Sequence, residues 1–403
     1  MNVAWVIDNK FRDLYGLKKL KDELRKKKIN LKIINKYHWK YAIRLFDPHY
    51  VVLPNAYETC GLPILKFCKD NKIKSILHNT EGFHTDAKSL KTYFPKKIIN
   101  DFDKIFVWCD DEKKYLIRNG ILAKKIIITG SLRYQNKLSK KFPKKIRNIG
   151  ILSSNKFMSG RFGPKNESPI IRQIFRWSDE KSFNAIHTFK FMHYELDFIK
   201  EIKKIIFLTK KKYNFILRPH PFEDSNFYNN KNFKVDKSYN ISKFLSKVDL
   251  VLNHYSSASI DALLSKVPII SLEKILNKSY KFKDLDNFFP IHLAFKPKNV
   301  KELEYILKSK FFLKKYELSY QKKFEKIFFK YHPIKNGIEI IKTNLIFFEK
   351  KRKFNFFNSL ILFILYEVYY FFKYNRETAF RFYLSKDKKL LEEFSLNYEK
   401  NTK

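Results

Sequence analysis

Apolar runs alternate with lysine-rich helical stretches along most of the chain. The pattern predicts strands at Val3–Ile7, Leu31–Ile34, Tyr50–Leu53, Ser75–Leu77, Lys104–Trp108 and Ile126–Thr129. Helices are predicted between them at Leu17–Lys28, Pro63–Asn71 and Glu112–Asn119. The short strands are apolar on both faces, as expected of a parallel sheet covered by helices. The rhythm restarts with strands at Asn148–Ser153, Asn214–Leu217, Leu250–Leu252 and Pro268–Ser271, and helices at Asp197–Lys211, Ile241–Ser246 and Ser257–Ser265. A lysine-rich stretch with one proline, Lys137–Arg147, separates the two series. The expected fold class is therefore α/β: two doubly wound Rossmann-like domains, residues 1–140 and 141–345, followed by a helical, aromatic and basic tail, 346–403. Two such domains place a ligand cleft where the carboxyl ends of their sheets face each other.

Two stretches break the rhythm. Residues 155–190 read as irregular, with Gly160, Gly163, Pro164 and Pro169, and a segment of that length inside a domain is usually functional. Near the end, Phe354–Phe372 is a long aromatic and apolar run interrupted by Glu367.

Composition narrows the classes. With 44% hydrophobic residues in 403, the chain can bury a sizeable core, which excludes wholesale disorder. Only 9 Gly and 13 Pro exclude a collagenous or linker-like protein. Cys60, Cys68 and Cys109 are too few and too irregularly spaced for a disulfide scaffold or a cysteine zinc site, and read as buried thiols of a reducing compartment. The start, Met1–Ile7, lacks the basic and long apolar regions of a secretory leader and reads as a first strand. A cytoplasmic location follows as the expectation.

The net charge of +43 invites a nucleic-acid reading. The lysines are spread along the whole chain, however, together with abundant Asn, Ile, Phe and Tyr, which fits a compositional bias. What remains is a positive field that attracts anions: sugar nucleotides, anionic lipid or RNA.

The candidate chemistry sits just after strands. Arg218-Pro219-His220-Pro221 follows one directly. Its prolines fix φ and remove donors, so the turn is rigid, and an Arg with a His there suits a phosphate or carboxylate. The plain alternative is a rigid turn with a solvated imidazole. Asn253-His254-Tyr255-Ser256-Ser257 follows another strand and opens a helix, with Ser256 or Ser257 as the N-cap. Free N–H groups and hydroxyls at a helix start bind anions, although a plain capped helix has the same sequence. His78-Asn79-Thr80-Glu81-Gly82-Phe83 places a carboxylate at a strand end, where it can act as a general base or be an incidental part of a polar turn. A metal set of His78, His84 and Asp86 matches no standard helix-face spacing. Asp8-Asn9-Lys10-Phe11-Arg12-Asp13 follows the first strand, and its mixed charges suit a polyhydroxylated acidic acceptor or an ordinary solvated loop.

These blocks resemble the bacterial surface-carbohydrate biosynthesis family, glycosyltransferases of the GT-B architecture. Four stretches carry the resemblance: Ile7 to Leu14; Thr80-Glu81-Gly82; Phe106-Val107-Trp108 through Ile128-Thr129-Gly130-Ser131-Leu132-Arg133; and Arg218 to Glu223 with Leu252 to Ser257. The resemblance covers roughly residues 1–272. Bacterial sialyltransferases and Kdo transferases also carry an acidic-acidic-Gly motif, a His-Pro motif and a paired Ser/Thr motif. Glu81-Gly82, His220-Pro221 and Ser256-Ser257 look like these in the same order, with Thr80 replacing the first acidic residue.

The resemblance implies a cytoplasmic glycosyltransferase of surface polysaccharide biosynthesis that moves a CMP-activated acidic sugar onto a glycan or lipid-linked acceptor. Glu81 and His220 are then the catalytic candidates. Arg218, His220, Glu223, Ser256 and Ser257 form the expected donor-nucleotide set. Asp8, Lys10 and Arg12 are expected to meet the acceptor, with Gly82, Gly130 and Asn155 at the cleft or hinge. No metal or other cofactor is expected beyond the nucleotide-sugar. Phe354–Phe372, flanked by Lys350, Lys351, Arg352, Lys353, Lys373 and Arg376, is expected to lie at the inner membrane face on anionic headgroups, or to be a buried C-terminal helix. Two alternatives remain at this stage: a CDP-alditol phosphotransferase with a similar His turn and Ser-Ser helix start, and a basic RNA-binding protein. No recognisable RNA-binding module supports the latter.

Overall fold

The computed structural model describes residues 1–7, 10–35, 39–56, 61–80, 91, 94–134, 141–153, 185–209, 212–220, 223, 225–228, 233–238, 240–253, 256–276, 294–309, 311–320, 337–345 and 361. The chain divides into two compact units, residues 1–136 with 328–403, and residues 137–327. Both are parallel sheets with helical crossovers, so the α/β, Rossmann-like class holds.

In the first unit the strands are β1 (Asn2–Ile7), β2 (Asn30–Asn35), β3 (Tyr50–Leu53), β4 (Lys74–His78), β5 (Lys104–Val107) and β6 (Ile126–Ile128). Their spatial order is β2-β1-β3-β4-β5-β6. Alternate residues feed two apolar layers. Val3, Trp5, Ile7, Val52, Ile76 and Phe106 face one side. Ala4, Val6, Val51, Leu53, Leu77, Ile105 and Val107 face the other. Burial on both faces is why these strands read as continuous apolar runs rather than as alternating ones.

Helix α1 (Lys10–Lys26) covers the first layer with Leu17, Leu20 and Leu24. It begins seven residues earlier than the apolar pattern predicts, because the charged Lys10, Arg12 and Asp13 obscure its start. Gly16 lets it approach the chain after β6: a Cβ there would lie 2.2 Å from the Leu132 carbonyl oxygen. The sequence reading carries the second domain to residue 345. Helix α2 (Gly337–Asn344) instead returns to the first sheet, where Ile338, Ile341 and Leu345 join the layer of Trp5 and Leu20. Lys104 Nζ donates to the Asn344 carbonyl at 2.5 Å, and Lys342 Nζ lies 3.7 Å from Glu23. A short helix with only three core positions gives no local sign of the sheet it will cover.

The second unit contains β7 (Asn148–Leu152), β8 (Asn214–Arg218), β9 (Lys234–Val235), β10 (Leu250–Asn253) and β11 (Ile269–Ser271), in the order β11-β10-β7-β8-β9. The two-residue strand β9 is too short to stand out in the sequence. Helix α3 (Ala185–Thr209) starts inside the stretch read as irregular and buries Tyr194, Phe198, Ile202, Ile205 and Ile206. Asp249, just before β10, ties the sheet's starting edge. Its Oδ2 accepts the backbone N–H groups of Arg147 and Asn148, each at 2.9 Å.

Candidate functional site

The order of the second sheet fixes where a ligand can sit. From β7 the chain runs outward to β8 and β9, then crosses back and continues through β10 and β11 on the other side. The order therefore reverses between β7 and β10. In doubly wound sheets the crevice outside the carboxyl ends of the strands at this switch point is the ligand site. Register sharpens the placement, since Leu152 of β7 pairs with Arg218 of β8 on one side and Asn253 of β10 on the other. The His220 and Ser256-Ser257 turns thus leave the same edge, two strand spacings apart, or about 10 Å.

The His220 turn is held by its own Glu223. The Glu223 backbone N–H donates to the His220 carbonyl at 2.8 Å. In return, the His220 backbone N–H donates to Glu223 Oε2 at 3.1 Å. This reciprocal i, i+3 pairing has the logic of a capping box. The carboxylate is fully buried, and Tyr228 OH donates to the same oxygen at 2.9 Å. Ser153 Oγ donates to Oε1 at 3.1 Å and lies 2.6 Å from Tyr228 OH. Buried charge is tolerated when hydrogen bonds replace its hydration in this way. The donor-contact role expected of Glu223 is therefore not the role its geometry shows: it supports the turn from beneath. Arg218 is also buried, and its carbonyl accepts the Ser153 backbone N–H at 3.1 Å. His220 itself is half-exposed.

The second turn also departs from expectation. The helix after β10 runs Ser259–Leu264, and its N-cap is Ala258, with no side-chain cap bond. Ser256 is buried one turn earlier. Its N–H donates to Asn253 Oδ1 at 3.0 Å, and its Oγ accepts the Ala258 N–H at 3.3 Å. Ser259 Oγ donates to the Ser256 carbonyl at 2.7 Å. The polar run thus spends itself on local turns that delay the helix. Ser257 is half-buried and is the more accessible of the pair.

In the first unit the order reverses between β1 and β3. Lys10 and Arg12 lie in the first turns of α1, right after β1, rather than in a loop. Their side chains, together with Asp8 and Asn9, lie outside the described residues. Asp13, on the same turn, is buried. At the end of β4, His78 and Asn79 are both buried. The His78 ring packs edge-on against Trp5 at 5.3 Å and Phe106 at 6.3 Å between centroids. Burial pushes its pKa down to about 4. The Gly130 backbone and the Asp13 carboxylate act in the opposite direction without offsetting it. His78 is thus a neutral imidazole near pH 7. Thr80 follows, its N–H donating to the Pro54 carbonyl at 3.0 Å. Glu81 and Gly82 lie outside the described residues, as do Asn155, His254 and Phe354–Phe372. Gly130 follows β6 with φ of 69°, a left-handed conformation that explains the glycine.

Sequence reasoning missed Tyr228 and the linking role of Ser153. Ser153 sat at a predicted strand end, but Tyr228 carries no local signal. Cys68 and Cys109 are buried, and burial pushes both thiols up, in keeping with unreactive core positions. Among the described residues no cluster of three or more His, Cys, Asp or Glu could hold a metal ion, and His84 and Asp86 lie outside them. Among the described residues no helix is long and apolar enough to cross a membrane.

No protein-family model matches the chain, and no curated protein matches it. Solved structures do. A protein from Listeria monocytogenes assigned as a UDP-N-acetylglucosamine 2-epimerase aligns over 88% of this chain and 99% of its own, with 10% identity and a TM-score of 0.50. The wall teichoic acid polymerase TagF, in a form soaked with CDPG, aligns over 85% of this chain and 88% of its own, with 13% identity and a TM-score of 0.50. At these identities the likeness is one of fold.

Proposed function

We propose that this protein is a glycosyltransferase of bacterial surface-glycan biosynthesis that uses a cytidine-activated donor, with a CMP-linked acidic sugar as the favoured class. One observation carries the reading. The Arg218–Glu223 turn and the Ser256-Ser257 turn leave the same carboxyl edge and flank the switch point of the second sheet. That is where a doubly wound unit holds a nucleotide.

The half-exposed His220 imidazole and the Ser257 hydroxyl are the groups offered to the donor phosphate. The acceptor oxygen forms a bond to the sugar, and the bond between the sugar and the phosphate oxygen breaks. CMP leaves with that electron pair, and the acceptor proton passes to a base, for which Glu81 is the candidate. Hydrogen bonds from His220 and Ser257 to the phosphate strengthen as its charge grows. The Glu-Gly, His-Pro and Ser-Ser order of the sequence supports this donor class.

A second reading uses the same phosphate site. The teichoic acid polymerase of like fold was soaked with CDPG, and transfer of an alditol phosphate from a CDP-alditol also releases CMP. The two reactions differ in the bond broken, carbon–oxygen in one and phosphorus–oxygen in the other. Labelling the CMP-sugar at its single phosphorus and the CDP-alditol at its β-phosphorus separates them. Label released as CMP from the CMP-sugar, with none entering product from the CDP-alditol, supports glycosyl transfer, whereas β-label in the acceptor product replaces it with phosphotransfer.

A further inference from the structure

We propose that Ser153, Glu223 and Tyr228 form a positioning unit that fixes the orientation of His220 for an anionic nucleotide phosphate. The proposal rests on the reading above, in which His220 meets that phosphate.

Each member comes from a different element. Ser153 follows β7, Glu223 closes the turn after β8, and Tyr228 ends the 3-10 turn Ser225–Tyr228. All three are buried. Their polar atoms form one connected set: Ser153 Oγ to Glu223 Oε1 at 3.1 Å, Tyr228 OH to Oε2 at 2.9 Å, and the two hydroxyls 2.6 Å apart. The His220 backbone N–H reaches the same Oε2 at 3.1 Å. A carboxylate that accepts from Ser153, Tyr228 and the His220 backbone has little freedom to move, and neither has the turn that shares its oxygen. The Ser153 N–H also grips the Arg218 carbonyl at 3.1 Å, two residues before His220. The turn is therefore held at both ends by one residue pair, Ser153 and Glu223. The three side chains are buried and bonded to one another and to the His220 backbone, so their work is to fix where the half-buried His220 ring points. Pre-organisation of this kind matters because a displacement of about 1 Å in a binding or reacting group can cost ~100-fold in rate.

The test uses the full chain labelled with 13C at the histidine Cε1, with the His220 signal assigned by its loss in His220→Ala. Three readouts are taken on the parent, Tyr228→Phe, Ser153→Ala and Glu223→Gln: the His220 ring resonance, CMP and CDP affinity by calorimetry, and the melting temperature without nucleotide. In Tyr228→Phe, which removes one hydroxyl and no volume from the turn, the His220 resonance is expected to shift and broaden. Nucleotide affinity is expected to fall about 10-fold, with the melting temperature nearly unchanged. Glu223→Gln keeps one acceptor oxygen and should shift the His220 resonance in the same sense as Tyr228→Phe. A His220 resonance identical to the parent's in both Tyr228→Phe and Ser153→Ala overturns the positioning unit, whatever the affinities. Equal nucleotide binding by the parent and His220→Ala instead overturns the donor-phosphate reading, and the ring resonance still decides the positioning question. If Glu223→Gln fails to fold, Tyr228→Phe and Ser153→Ala still decide.

Discussion

The indole N–H of Trp108, the residue after β5, donates to the backbone carbonyl of Asn79, the residue after β4, at 2.5 Å. Both residues are buried. Trp108 is itself held, its backbone N–H donating to Glu112 Oε2 at 2.7 Å. This chain of contacts fixes the end of β4 as far as Thr80. Trp108→Phe replaces the indole with a smaller phenyl ring and removes the donor, so the lost hydrogen bond and lost packing should together cost at least about 1–3 kcal/mol. Urea unfolding should show that loss. If Glu81 is the base, kcat should fall while donor KM stays near the parent value.

His78 makes stability depend on pH. Its folded pKa of about 4 lies below the ordinary value of 6.5, so below pH 6.5 the unfolded chain takes up the proton first. The contribution of His78 is complete above that pH and is lost as pH falls toward 4. Between pH 6.5 and 5 the loss is about 2 kcal/mol at 1.36 kcal/mol per unit. Replacing the buried ring in His78→Leu should flatten this part of the curve. Parallel curves for parent and variant over that window would contradict the assignment.

Gly16 sits mid-helix, where glycine costs about 1 kcal/mol relative to alanine. The Leu132 carbonyl, 2.2 Å from a hypothetical Cβ, reverses that preference. Gly16→Ala is expected to destabilise the chain by about 1–3 kcal/mol rather than stabilise it. Thermal unfolding of the single variant reads the sign directly.

Ser256 and Ser257 should separate. Ser256 is buried in its turn, with its Oγ accepting the Ala258 N–H. Ser256→Ala should cost about 1 kcal/mol of stability. Ser257→Ala should leave stability within about 0.5 kcal/mol, as for an ordinary accessible site, and weaken CMP binding several-fold. The pair is compared by melting temperature and calorimetry together.

Much of the fold was legible because buried parallel strands announce themselves. Tyr50–Leu53 and Ile241–Ser246 were read to the residue, since apolar runs bounded by polar turns leave little choice. The start of α1 was not legible: Lys10, Arg12 and Asp13 look like a loop, and only the packed structure shows helix there. The strand-end positions of the candidate motifs were legible, because prolines around His220 and serines after β10 mark the ends of β8 and β10. What each residue does there was not. Glu223 stood in a ligand motif but is buried among Ser153, Tyr228 and the His220 backbone, partners 70, 5 and 3 residues away. A contact across 70 residues leaves no local trace in the sequence.

In the function proposed above, the carboxyl edge of the second sheet binds the donor phosphate through His220. Calorimetric titration of CMP and CDP into the full chain and into His220→Ala is the decisive measurement. Saturable binding to the parent is expected, with a loss of about 10-fold or more in affinity in the variant and the two proteins melting at similar temperatures. Equal affinity in the parent and the variant, or binding of RNA with no response to either nucleotide, would contradict it.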